Sequence, residues 1–428
     1  MQIAQALAPN EPSAGECFMK FIATADWQLG MTARFLPPEA RARYTQSRFE
    51  VLTRIGDLAQ ERGAEFIVVC GDVFETNQLD RRVIARTFEA LRSVRIPIVL
   101  VPGNHDPLDS ASIYDSEAFT RLSPDNVNVA RTAEPIRVTA HAQVLPVPWS
   151  SKRPGRDLVA EACAGLEPPE SGVSRVLAAH GAVASMNPDA TDPATIDDAL
   201  VTQLLRDGVI DVAVLGDRHS TTEVAAGIWY PGTPEVTARR DPHPGNVLVI
   251  EVPDDDGAVG AASTHGPGAR HVQVEEVHVG SWQFVTLEQQ FTARLDHEGE
   301  TDDLEALRAQ LAAIDNKSQT GVWLQLTGTI TTRGAAELDR LIDEQGDLFA
   351  LLEIWQSHSD LQTLPDGADF SDLHLTGFAQ DALDDLVAQA AAGSAGSSPT
   401  TRSEADIAAS TVAADALSLL YRLAGGHR

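Results

Sequence analysis

Basic residues, cysteines, aromatics and long apolar runs are all scarce in this 428-residue chain. Lysine and arginine total 32 against 62 aspartates and glutamates, a formal net charge of −30. Phosphate backbones are held by cationic side chains, so this balance excludes a broad basic surface for nucleic acid. Any polyanion must be drawn by bound metal, by local arginines or by a partner subunit. The deficit persists toward the carboxyl end, with 8 basic and 24 acidic residues from Ser281 onward. The three cysteines, Cys17, Cys70 and Cys163, are far apart and have no CxxC spacing. That excludes a disulfide framework and predicts buried thiols in a reducing cytoplasm. No run of 18 apolar residues occurs, so neither a membrane span nor a membrane partner is expected. Met1–Glu16 lacks the basic start and apolar middle of a secretory signal and reads as a disordered leader.

What is present is a soluble composition, 43% hydrophobic and 22% charged, on a chain long enough for two or three domains. Strand-type and helix-type periodicity alternate through the first 220 residues, which predicts an α/β layered domain. Phe66–Cys70 is an unbroken apolar run closed by Gly71 and Asp72, the pattern of a strand buried on both faces. Phe21–Gln28 and Ile96–Asp106 repeat the design. Helices are expected at Gln46–Arg62 and Arg81–Val94. Further strands are expected at Val127–Val129, Val144–Val147, Val173–Ala179, Val212–Leu215, Val247–Val252 and Val272–Val279. Asp254–Gly268 reads as a surface insert. From Ser281 the pattern restarts as strand, helix, strand, helix, strand, a separate small α+β domain. An amphipathic helix around Phe378–Ala390, a flexible linker at Ala391–Thr401 and a last helix striped with Val412, Ala416, Leu419, Leu420 and Leu423 complete the chain. That stripe either packs back on its own domain or binds a partner.

The chemistry gathers where strands end. In chain order these ends carry Asp26 and Gln28; Asp72; Asn104, His105 and Asp106; His180; and Asp217 with His219. Open α/β sheets place ligands at the carboxyl ends of their strands. Oxygen and imidazole donors delivered there would build a hard-cation site with a histidine beside it. Each residue alone has an ordinary structural reading, as a turn former, a cap or a surface ion pair. Together they point to a metal centre.

The order Asp-x-(His), Gly-Asp, Gly-Asn-His-Asp, His-Gly, Gly-x-x-His is similar to the calcineurin-like metallophosphoesterases. Within that superfamily the text resembles the bacterial SbcD-type DNA double-strand-break repair nucleases. ADWQLG stands where that family has DWHLG, CGDVFE where it has GDVFD, and PGNHDP, VPVPWSSKR, AAHG, LGDRHS and YPGTPEVT follow in its order. The resemblance covers about Phe21–Val252. Gln28 replaces the histidine of D-x-H, and Asp217 the first histidine of GHxH.

The resemblance implies a four-layer β-sandwich flanked by helices over residues 17–280. A capping domain would span 281–375, and helices that dock on a partner would span 376–428. It implies two divalent cations, one on Asp26, Gln28, Asp72 and His219, the other on Asp72, Asn104, His180 and Asp217, bridged by Asp72. The added oxygen donors favour Mn²⁺ or Mg²⁺ over Zn²⁺, and loss of the first ion is the alternative. His105 would steady the transition state or protonate the leaving oxygen. Asp106 would orient His105 or cap the following turn. Arg81, Arg82 and Arg86, and Arg239 and Arg240, would meet substrate phosphates or form solvated faces. The activity implied is metal-dependent hydrolysis of DNA beside an SMC-like ABC ATPase, with homodimerisation as a further partner expectation. The alternatives are a phosphodiesterase for nucleotides or other small diesters, and a catalytically degenerate scaffold.

Overall fold

The computed structural model describes residues 19–187, 191–253, 272–293, 298–364 and 375–392, together with 412, 413, 416 and 420. The leader, the Asp254–Gly268 insert, all but the first two residues of the linker, and Leu419 and Leu423 of the final stripe lie outside these. The chain divides into two units, Met1–Ala33 with Ala42–Trp282, and Arg34–Arg41 with Gln283–Arg428. Nothing in the sequence pattern marks Arg34–Arg41 as part of the second unit.

In the first unit, β1 (Met19–Thr24), α1 (Pro38–Arg62, its residues up to Arg41 belonging to the second unit), β2 (Phe66–Cys70), α2 (Arg81–Ala90) and β3 (Ile98–Val101) open the chain, followed by α3 (Glu117–Leu122) and β4 (Val127–Val129). Then come β5 (Ile136–Arg137), β6 (Ala142–Pro146), α4 (Leu158–Cys163), β7 (Ser174–His180), α5 (Asp198–Arg206), β8 (Val212–Gly216), β9 (Thr222–Ala225), β10 (Ile228–Tyr230), β11 (Asn246–Val252) and β12 (Gln273–His278). They form two six-stranded sheets, ordered β12-β11-β1-β2-β3-β4 and β5-β6-β7-β8-β10-β9. In the first, β1 to β4 run parallel; in the second, β6, β7, β8 and β10 do.

Strand period two builds the layers. Phe66, Val68 and Cys70 face one way and meet Val176, Ala178, Val212 and Val214 of the other sheet. Ile67 and Val69 face the opposite way, onto Leu52, Ile55 and Phe88 of the helices. Ala213 and Leu215 of β8 likewise pack on Val201 and Leu205 of α5. Helix, sheet, sheet, helix is therefore the layering, as alternation of side chains along a doubly covered strand requires. Among the described residues, no helix is long and apolar enough to cross a membrane.

The second unit contains β13 (Gln283–Phe291), α6 (Glu298–Ala312), β14 (Thr320–Thr331), α7 (Thr332–Gly346), β15 (Leu351–Ile354), β16 (Asp360–Leu364) and α8 (Phe378–Ala392). Among the described residues, every strand pairing in it is parallel. The twelve-residue β14 takes β13 along one edge, while β15 and β16 share the other in succession. Leu307, Leu311, Leu324, Leu338 and Leu341 form its core. Leu383 of α8 clusters with Ala293 and Ala413, and Leu420 packs against them. Val412 of the expected apolar stripe is two-thirds exposed.

Candidate metal centre

Parallel order places the ends of β1, β2 and β3 side by side. The loops that follow keep pairing after the strands stop: the Asp26 amide donates to Gly71 O (3.1 Å) and the Gln28 amide to Asp72 O (2.9 Å). From the opposite sheet, the ends of β7 and β8 bring His180 and Asp217. The sheets meet without room for a side chain. A methyl group on Gly71 or Gly216 would strike the His180 ring, and one on Gly216 would also strike the Cys70 carbonyl.

Four candidate ligands, Asp26, Gln28, Asp72 and Asp217, have left-handed backbone, with φ of 52°, 43°, 52° and 95°. Asn316 is the one other described non-glycine residue that does so. Such conformations are strained in ordinary residues and concentrate at functional sites. Here they turn each side chain from its strand end into the space between the sheets.

Asp26, Asp72 and His180 are buried, and their donor atoms lie within 4.8 Å of one another. His180 Nε2 is 3.6 Å from Asp72 Oδ2 and 3.8 Å from Asp217 Oδ1, and its Nδ1 donates to Cys70 O (3.0 Å). One end of the Asn104 amide lies 2.8 Å from His180 Nε2 and 3.1 and 3.2 Å from the two Asp72 carboxylate oxygens. With nitrogen turned inward, that amide donates to the Asp72 carboxylate. Turned the other way, it sets an oxygen among acceptors, the arrangement a cation fills. The Asp217 amide donates to both Asp26 oxygens at 3.2 Å. Among the described residues, no lysine or arginine pairs with Asp26, Asp72 or Asp217. Three acids around one imidazole without a fixed cation is a donor set that fits divalent metal.

The charges respond as such crowding demands. Burial pushes the Asp26 carboxyl well above the usual range; His180 opposes this, while Asp72 and Asp217 add to it. Burial alone would lower His180, but Asp72, Asp26 and Asp217 outweigh it and hold the imidazole up at about 9. Without metal, this cation favours the folded state. The contribution is full below pH 6.5 and is lost as pH rises through about 9. A cation held by His180 would displace the same proton, so affinity should rise about tenfold per pH unit up to about pH 9. Calorimetric titration with Mn²⁺ across that range checks the slope; a flat profile would mean His180 keeps its proton when metal binds.

His105 sits at the mouth, 39% exposed, its Nε2 4.0 Å from Asp72 Oδ2. Its backbone amide donates to Asp72 Oδ1 (2.9 Å) and its Nδ1 to Glu75 O (2.9 Å). Glu75 was not singled out by the sequence. Its Oε1 is 4.0 Å from His105 Nδ1, and burial raises its carboxyl. Asp106, expected to orient His105 or cap a turn, does not bond that imidazole. It accepts from the Gly103 amide (2.8 Å), the Phe74 amide (3.0 Å) and the Tyr114 hydroxyl (2.7 Å), tying the β3 loop to the β2 loop.

Gln28 and His219 meet at 3.0 Å, and His219 Nδ1 reaches Thr237 Oγ1 at 2.6 Å. The Thr233 hydroxyl donates to Asp26 O (2.9 Å), and buried Arg48 donates to Trp27 O (2.7 Å) and the Tyr44 hydroxyl (2.8 Å). Trp149 of VPVPW donates from its indole to His180 O (2.7 Å). Of the arginines, Arg81, Arg82, Arg239 and Arg240 are exposed. Arg86 is engaged: its guanidinium covers the Phe49 ring at 3.9 Å and bonds Gln46.

No curated protein sequence shows significant similarity to this chain. Two solved structures are similar to it at low identity. One is a protein of Thermus thermophilus, 15% identical, with a TM-score of 0.35 over 61% of this chain and 100% of that one. The other is a dimetal phosphatase from Danio rerio, 13% identical, with a TM-score of 0.33 over 61% of this chain and 99% of that one. The model of the calcineurin-like phosphoesterase family matches residues 19–221, the stretch that supplies every strand end described above. Over residues 19–221, just under half of the chain, the sequence is thus similar to the calcineurin-like phosphoesterase family.

Proposed function

We propose that the chain is a Mn²⁺-dependent DNA nuclease, hydrolysing phosphodiesters at broken double strands as a subunit beside an SMC-like ABC ATPase. The observation that carries the reading is the buried, oxygen-rich donor set with His105 exposed at its mouth. Asp26, Gln28, Asp72 and His219 would hold one ion, and Asp72, Asn104, His180 and Asp217 the other. Oxygen outweighs imidazole in this set, which suits Mn²⁺ or Mg²⁺. When bound, such ions polarise a phosphoryl oxygen and acidify water. The chain's own residues do the rest. Asp72 fixes the His105 backbone. His105, its Nδ1 committed to Glu75 O, presents Nε2 to the site, where it protonates the leaving oxygen or steadies developing charge.

The choice of DNA rests on the motif text from ADWQLG to PGTPEVT, and on exposed Arg81, Arg82 and Arg239 as phosphate contacts. Exposed Phe378 and Val412 suit a docking role for the carboxyl-terminal helices, on the ATPase or on a second copy of the chain. Small phosphodiesters are the second reading, favoured by the net charge of −30.

The test strips the protein with chelator, reloads Mn²⁺, Mg²⁺ or Zn²⁺, and offers linear duplex DNA or bis-p-nitrophenyl phosphate. Mn²⁺-dependent shortening of DNA is expected. Turnover of the chromogenic diester without DNA cleavage, even with the ATPase present, selects the second reading. No bound metal and no turnover in any cation leaves only a scaffold. Gln28→His is expected to tighten metal at the first position by about tenfold and to shift preference toward softer cations; unchanged affinity and selectivity would remove Gln28 from the ligand set.

A further inference from the structure

Thr237 and Asp241 lie outside the matched family segment and carry none of the motif's ligands, yet they complete a directional chain of hydrogen bonds that ends in the site. Gln28 Nε2 can only donate, so at 3.0 Å from His219 Nε2 it requires that nitrogen to accept. The proton of a neutral His219 is then on Nδ1, which donates to Thr237 Oγ1 at 2.6 Å. Thr237 in turn donates its hydroxyl proton to Asp241 Oδ2 at 2.7 Å. The same Asp241 oxygen accepts from the Thr237 amide (3.3 Å) and the Ala238 amide (2.8 Å), which holds the carboxylate in place. Thr237 is buried, 3% exposed, so water does not replace its partners.

We infer that Asp241 and Thr237 are positioning residues that lock His219 in the Nδ1–H tautomer, keeping the Nε2 lone pair aimed at the metal centre. The direction follows from the acceptor at the far end. With its proton held by Asp241, the Thr237 hydroxyl can offer His219 only a lone pair. Were that proton free, Thr237 could donate to Nδ1 instead, and the imidazole would carry its hydrogen on Nε2, where a cation must bind. Partners of this kind typically change metal affinity 10–100-fold. The inference rests on His219 being a ligand of the proposed centre.

The test uses the full-length chain with isotopically labelled histidine, treated with chelator and free of DNA. Nitrogen-15 spectra report the His219 tautomer, and Mn²⁺ alone is then titrated. Wild type should show Nδ1–H. Thr237→Val and Asp241→Ala should raise the Nε2–H population and weaken one Mn²⁺ site about 10–100-fold. Thr237→Ser and Asp241→Asn, which keep the hydroxyl and the accepting oxygen, should restore both. An Nε2–H tautomer in wild type overturns the inference. So do unchanged tautomer and affinity in the disruptive variants. Should Thr237→Val fail to fold, partly exposed Asp241 gives the decisive variant. The tautomer is read without metal or substrate, so it stands or falls independently of DNA hydrolysis.

Discussion

Asp72→Asn is expected to abolish phosphodiesterase turnover, by about 10³-fold or more, while the protein stays folded. The Asp72 carboxylate reaches His105, His180 and Asn104. Its Oδ1 accepts from the His105 amide at 2.9 Å, its Oδ2 lies 3.6 Å from His180 Nε2, and the Asn104 amide sits within 3.2 Å of both oxygens. Asparagine keeps the shape and can still accept from His105. It removes the negative charge that two divalent ions would share, so both positions should weaken together. A loss of 10³ corresponds to roughly 4 kcal/mol of transition-state stabilisation, within what metal-ion catalysis supplies. Asp72 is the foremost of the charges that hold His180 protonated, so the melting temperature of chelated protein should fall somewhat below about pH 9. Elemental analysis of the purified variant, beside its turnover, checks the account. Full metal occupancy with wild-type turnover would exclude Asp72 as the bridge.

His105→Ala should separate chemistry from metal binding. Its ring is the most accessible imidazole at the mouth, and the contact that ties it to Asp72 is made by its backbone, which alanine preserves. Metal content should therefore match wild type, while turnover falls by about 10²–10⁴-fold, the range for losing one positioned proton donor. The loss should be smaller for a substrate whose leaving group needs no proton, such as p-nitrophenolate, than for DNA. Equal losses on both would assign His105 to electrostatic stabilisation alone.

The architecture was legible because each central strand writes its period into the text. Phe66–Cys70 reads as covered on both faces because alternate residues do meet two different layers. The strand-end donors were legible for the same reason: the residue after an apolar run is carried to the sheet edge. What failed to show was set by contacts between distant segments. Arg48 reads as one more polar residue of an amphipathic helix, yet it is buried because Trp27 O, Tyr44 and Glu235 O accept its protons. Asp106 looks like the natural partner of its neighbour His105, but three donors from elsewhere claim both of its oxygens. Helix α1 begins at Pro38, eight residues before its apolar stripe becomes regular, since its first turns carry few apolar side chains. The six-residue helices α3 and α4 are too short to display a period; only their caps, Ser116 and Asp157, mark them.

The left-handed backbone of Asp26, Gln28, Asp72 and Asp217 has an evolutionary consequence. Glycine at any of these positions would relax the loop and erase a metal donor in one step. The sturdiest descendant of this fold would then be an inert one, and the four unfavourable conformations persist only while selection on activity opposes that drift.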